Sequence, residues 1–229
     1  LVGSEMCIRD SYKGDYNESK PDFVKATNAT ILQPYHLPFN PLALTQSKVF
    51  KPLLPIHTAN AFKDTLSKIY SLGAKQQDTL LQCIKETYLD YGIKPSDKDS
   101  WKNEAPTFEQ VYQRYANDEK IKKNDSLAAA MNKLHEFEVF EGNSSKTKSL
   151  FELLQGVVVI DLSGFDADIQ SLIVAITLDL FYAQMQAAGS SKIENGFRQL
   201  TKMILVDEAD NFTVSYTHLR AHETDSYLV

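Results

Sequence analysis

The spacing of hydrophobic and polar positions changes along this chain, and the change divides it. Between residues 58 and 141 the apolar positions recur every three or four residues. Ala59, Phe62, Leu66 and Ile69 share one helical face, while Lys63, Asp64 and Lys68 fall on others. Leu80, Leu81, Ile84 and Tyr88 repeat that spacing ahead of Gly92 and Pro95, and Gly73 is expected to close the helix before them. Thr107 to Gln110 has the form of a capping box before Val111, Tyr112 and Tyr115. Leu127, Ala130, Met131, Leu134 and Phe137 predict a fourth amphipathic helix. The charged stretches 95–103 and 118–125 are expected to be solvated turns.

Outside that block the pattern reads as strands. Ala29-Thr30-Ile31-Leu32 is a short strand, and Leu37-Pro38-Phe39-Asn40-Pro41-Leu42 an ordered loop, since each proline removes a donor and restricts its predecessor. Val157 to Ile160 is a β-branched run ending in Asp161, bounded by Gly156 and Gly164. Asp168 then opens a long helix with Ile169, Leu172, Ile173, Ile176 and Leu180 on one face. Val174, Leu178 and Phe181 make it apolar nearly all round. After Gly189-Ser190-Ser191 a polar loop to about Gln199 leads into Met203-Ile204-Leu205-Val206, expected to be a strand buried on both faces. Strand, long helix and strand predict a βαβ unit, hence an α/β fold with a parallel sheet that carries Asp161 and Asp207 on one edge.

That edge is where open α/β sheets place their ligands. Two adjacent acids there suit nucleotide hydrolysis, in which one carboxylate holds Mg²⁺, usually through water, and the next polarises the attacking water. Asp207 then reads as the Mg²⁺ ligand and Glu208 as the general base. The plainer alternative is a buried strand meeting a solvated acidic turn. A phosphate-cradling G-x-x-x-x-G-K-[ST] loop is not present. Gly142-Asn143-Ser144-Ser145-Lys146-Thr147 has Lys-Thr without the preceding glycine. Half a site is therefore legible, with the cradle expected upstream of residue 12. Asp207-Glu208-Ala209-Asp210 also spells the box of DEAD-type helicases, but their GKT loop about a hundred residues earlier has no counterpart.

Composition narrows the classes. A formal charge of −6 and a pI near 5.4 leave no basic footprint for nucleic acid, so any DNA contact must come from a local loop. Two cysteines, Cys7 and Cys83, exclude a disulfide scaffold and fit a reducing cytoplasm. The longest apolar run, Ser171 to Phe181, is short for a membrane span and contains Asp179. His135 sits among apolar neighbours and reads as structural. The opening residues 1–11 and closing residues 214–229 show no period and no caps. Both are expected to stand outside the fold as translated sequencing-adapter sequence, which removes the His218/His222 pair from consideration as a metal site.

Four motifs occur in an order that resembles one family. Tyr12-Lys13-Gly14-Asp15-Tyr16, Phe39-Asn40-Pro41-Leu42, the run Val157 to Gly164, and Ile204-Leu205-Val206-Asp207-Glu208-Ala209 are similar to motifs of HerA/FtsK-like P-loop motor ATPases. Within them the likeness extends to the HerA-like DptH ATPases of phosphorothioation-dependent DNA restriction. The resemblance implies a partial RecA-like P-loop NTPase core with an inserted helical block. It divides the chain into partial ATPase core (12–57), helical insertion (58–141) and core with the Walker B strand (142–213). It further implies ATP and Mg²⁺ as cofactors, DNA as the translocated partner, a homo-hexameric ring, nuclease or restriction partners, and no membrane. An ATPase of conjugation or secretion, or an inactive P-loop scaffold recruiting a nuclease, are its alternatives. By match, Asp207 organises Mg²⁺, Glu208 activates water and Asp15 lies in the cofactor-binding motif. Family members carry an acid two residues before the motif lysine, where this chain has Ser11. The chain alone, without a cradle, is expected to be inactive.

Overall fold

The computed structural model describes residues 7–11, 16, 18–45, 54–200 and 202–207. Its centre is a four-stranded parallel sheet in the order β2-β3-β1-β6, formed by β1 (Cys7–Ser11), β2 (Thr30–Leu32), β3 (Val157–Asp161) and β6 (Met203–Val206). Residues 7–11, expected to stand outside the fold, make its second interior strand. Cys7 pairs with Val157 on one side and Met203 on the other, and Ser11 ends opposite Asp161. Five residues are too few to show a period, so the place of this pentad is seen only in the ladders it forms with β3 and β6.

β3 and β6 are joined by α7 (Ala167–Ala188) as the βαβ pattern predicts, but β1 lies between them, so the crossover spans one strand position. All six residues from Leu172 to Thr177 are buried, which accounts for a helix apolar on every side. By length and composition alone α7 could cross a membrane. It is longer than the Ser171–Phe181 run because Tyr182, Gln184 and Gln186 continue the helix. Asp179 faces the neighbouring α2 (Pro55–Tyr70), where the Thr65 hydroxyl donates to it at 3.1 Å. Ile204 and Val206 of β6 meet Ile173 and Val174 of α7 around a small apolar void. The opposite face of β6 is not covered in the same way. Met203 and Leu205 remain 38% and 37% exposed, correcting the expectation of a strand buried on both faces. β6 ends the described sheet, where one face suffices to anchor it.

The helical block comprises α2, α3 (Ala74–Asp90), α4 (Phe108–Asn117) and α5 (Ser126–Glu136). Phe62, Phe108 and Phe140 meet with ring centroids 6.1–6.5 Å apart, and Phe39 joins through Phe140. The Leu37–Leu42 loop is buried because its polar backbone is satisfied. Leu37 N–H donates to Val139 O, Asn40 Oδ1 accepts from Leu42 N–H, and the Tyr88 hydroxyl donates to Leu42 O at 2.7 Å. Cys83 is buried in this block, and burial pushes its thiol up to about 11, so it is a packing residue.

Three local expectations change. Ser71, in the left-handed conformation, closes α2, and Gly73 instead precedes α3. Within 95–103 a 3-10 turn at Ser100–Lys102 buries Trp101, whose Nε1–H donates to Lys94 O at 2.7 Å. Charge counting missed it because one indole outweighs the lysines around it. The polar loop after α7 holds a hairpin, β4 (Ile193–Glu194) and β5 (Phe197–Arg198), turned by Asn195-Gly196 at φ 53° and 81°. Both central residues at positive φ are what a two-residue hairpin turn requires. α1 (Pro21–Thr27) and α6 (Leu150–Leu153) are short helices that periodicity did not predict.

Candidate functional site at the carboxyl rim

Because the strands are parallel, their carboxyl ends share one rim. Asp161 ends β3, Ser11 ends β1 opposite it, and Asp207 follows Val206, the partner of Asp10. The two acids therefore flank β1, as the sequence placed them on one edge. Asp161 is 4% exposed, and its Oδ1 accepts from the Ser163 N–H at 3.1 Å and the Ser163 hydroxyl at 2.7 Å. Gln170 Nε2 donates to Leu162 O at 2.9 Å, so the turn from β3 into α7 is held at both ends. Asp207 is half-buried. Ser11 stands at the rim position where the HerA/FtsK-like resemblance expects an acid. Asp15 and Glu208 lie outside the described residues, as do residues 214–229.

The start of α7 carries a cluster that sequence reading did not find. Lys133 Nζ, from α5, sits 2.7 Å from Asp166 and 2.8 Å from Asp168. No local pattern pairs residues so far apart in the chain. Burial works against the Asp168 carboxylate, but hydrogen bonds and charge from Lys133 outweigh it and hold its pKa below the usual range. A depressed carboxylate stabilises the fold above its unfolded pKa of about 3.9, and that stabilisation is lost as pH falls through the folded value. Lys133→Met keeps the aliphatic stem and removes the charge. It is expected to lower stability by at most about 1 kcal/mol at neutral pH, as befits a partly exposed pair. The difference should close as urea melts are taken below about pH 4.

Hard oxygen donors at the rim fit Mg²⁺, which is commonly bound through one or two carboxylates and several waters. Among the described residues there is no group of three or more His, Cys, Asp and Glu able to hold a metal. The Gly142–Thr147 stretch offers no cradle. The Ser145, Lys146 and Thr147 amides are used by Asn143 Oδ1, Asn143 O and Ser144 O. The stretch also precedes α6 and β3, and so feeds the other end of the strand. His135 is structural as expected, stacked on Tyr112 at 3.9 Å with Glu109 2.9 Å from its Nδ1.

A parallel sheet with acids at its carboxyl rim and a long helix crossing between two of its strands is a mixed α/β arrangement. Among solved structures the chain is similar to VirB4 of Thermoanaerobacter pseudethanolicus, with a TM-score of 0.60 over 90% of this chain and 76% of that one, at 13% identity. At that identity the likeness is one of fold. No protein-family model matches the sequence, and no curated protein matches it.

Proposed function

We propose that the protein carrying this chain is a Mg²⁺-dependent ATPase motor in which Asp207 holds the metal through water and Glu208 takes the proton of the attacking water. The observation that carries this reading is the delivery of Asp207 by a parallel strand to the same rim as Asp161. The fold likeness to VirB4, a P-loop ATPase of the type IV secretion system, supports it. Mg²⁺ would supply charge neutralisation for the phosphates. The residues of this chain orient water and accept its proton. The buried Asp161, tied to Ser163, fixes the neighbouring strand end and keeps the rim acidic. Cargo follows two readings. The VirB4 likeness favours secretion or conjugation, whereas the ordered HerA/FtsK-like motifs favour DNA translocation in restriction, with a hexameric ring and a nuclease partner. Asp207→Ala in the intact protein is expected to weaken Mg²⁺ activation of ATP hydrolysis about 10–100-fold. A Mg²⁺ titration of the steady-state rate reads this directly, and an unchanged midpoint rejects Asp207 as the metal residue.

A further inference from the structure

Helices α2 and α7 pack together without closing the space between them. Thr58, Ala61, Phe62 and Thr65 recur at helical spacing along α2, and Ile176, Asp179, Leu180 and Ala183 along α7. The two stripes wall a cleft of about 280 Å³, to which Pro41 and Ala43 of the preceding loop contribute. The alanines at 61 and 183 leave room that longer side chains would take. Asp179 is the only acid in the lining, which holds no lysine or arginine. Its Oδ2 accepts from the Thr65 hydroxyl at 3.1 Å. Among the described residues its Oδ1 has no donor, and no cation lies within ion-pair distance of either oxygen. His57, also in the lining, has its Nδ1 engaged by the Leu54 N–H at 3.3 Å. Asp179 is open to solvent through the cleft, yet the surrounding helices crowd it. Burial raises its carboxyl above the usual carboxylate range, by more than the Thr65 hydrogen bond and the charge of Lys68 pull it down. At neutral pH the ionised group therefore costs stability, because its folded pKa exceeds the unfolded value of about 3.9.

A carboxylate without a counter-ion in a largely apolar cleft selects its ligand by elimination. A divalent metal takes several oxygen donors, and Asp179 stands alone. A hydrated inorganic ion would leave the apolar walls unused, and a neutral apolar molecule would leave the carboxylate unpaired. A basic side chain uses both, its methylene stem on the apolar wall and its cationic head on the carboxylate. We propose that the α2–α7 cleft receives a lysine or arginine side chain of a partner polypeptide, the head pairing with Asp179 and the stem lying along Phe62, Ile176 and Leu180. The volume falls just short of the roughly 300–1,000 Å³ of pockets that enclose whole small molecules, and suits one side chain entering from outside. The net charge of −6 favours the approach of a basic partner. The inference does not rest on the ATPase reading, since no residue of the carboxyl rim takes part in it.

The test is an amide-resolved NMR titration of the full chain, at neutral pH and low salt, with the blocked tripeptides Ala-Arg-Ala and Ala-Lys-Ala. Citrulline in place of arginine and norleucine in place of lysine give neutral controls of the same shape. At least one charged peptide is expected to bind about tenfold or more tighter than its control, with shifts centred on α2 and α7. Asp179→Asn keeps an acceptor for the Thr65 hydroxyl and should erase that difference. The same variant should leave Tm unchanged or raise it, because it removes a charge that costs stability. Ala61→Leu, at an exposed position, should lower the affinity of the charged peptide about tenfold by filling the space of the stem. Absence of saturable binding, equal affinity for charged and neutral peptides, or a preference that survives Asp179→Asn overturns the proposal. So does unchanged affinity in Ala61→Leu. A lower Tm in Asp179→Asn would make the acid structural and overturn it equally. Propylguanidinium, the head and stem without a backbone, is expected to bind no tighter than the arginine peptide, and tighter binding overturns the choice of a polypeptide.

Discussion

Glu208→Gln in the intact protein should leave ATP binding in place and cut turnover by about 10²–10⁴-fold, the usual contribution of a positioned general base. Glutamine keeps the shape of glutamate and can still hydrogen-bond water, but it cannot take a proton from it. The neighbouring Asp207, which follows the last residue of β6, is left unchanged with the Mg²⁺ role proposed for it, so nucleotide affinity should hold. The two acids therefore separate experimentally. Asp207→Ala moves the Mg²⁺ midpoint, whereas Glu208→Gln moves the rate at saturating Mg²⁺. Single-turnover hydrolysis with a parallel equilibrium binding measurement distinguishes them. Undiminished hydrolysis in Glu208→Gln would end the assignment. A wild-type protein that binds ATP without hydrolysing it would favour the inactive scaffold instead.

Leu172→Ala should be the most damaging of the simple truncations in this fold, at about 2–5 kcal/mol. Leu172 is fully buried, at 0% exposure, and its neighbours through Thr177 are buried on every side of α7. No adjacent side chain can swing from solvent to fill the space, so both the transfer loss and the cavity contribute. For a chain of this size each kcal/mol corresponds to about 2–4 °C in Tm. Leu205→Ala is the internal control. Its side chain is 37% exposed on the uncovered face of β6, and the change should cost well under half as much. Urea melts of the two variants test the position of β6 as well as the weight of α7. Equal losses would mean that Leu205 is covered in solution, as a strand buried on both faces requires.

The periodic elements were legible in the sequence because their signal is local. Phe62 and Leu66, Leu80 and Ile84, and Leu172 and Ile176 announce helices through spacing alone, and Val157–Ile160 and Met203–Val206 announce strands through β-branching and length. The parallel relation of β3 and β6 followed from the long helix between them, and so did the common edge of Asp161 and Asp207. The hairpin turned by Asn195-Gly196 was passed over as a polar loop, although that pair favours positive φ at both positions.

Sequence by itself therefore determined the fold class, the βαβ unit and the acid-ended strand as the feature to watch. Only the tertiary structure decided that β1 enters the sheet between β3 and β6, that Lys133 grips the start of α7, and that one face of β6 stays open. The reason is the range of the forces involved. Periodicity and turn chemistry act between residues a few positions apart and leave their mark in the chain. Strand pairing, ion pairing and burial act between residues up to about two hundred positions apart, and nothing in the intervening sequence records them.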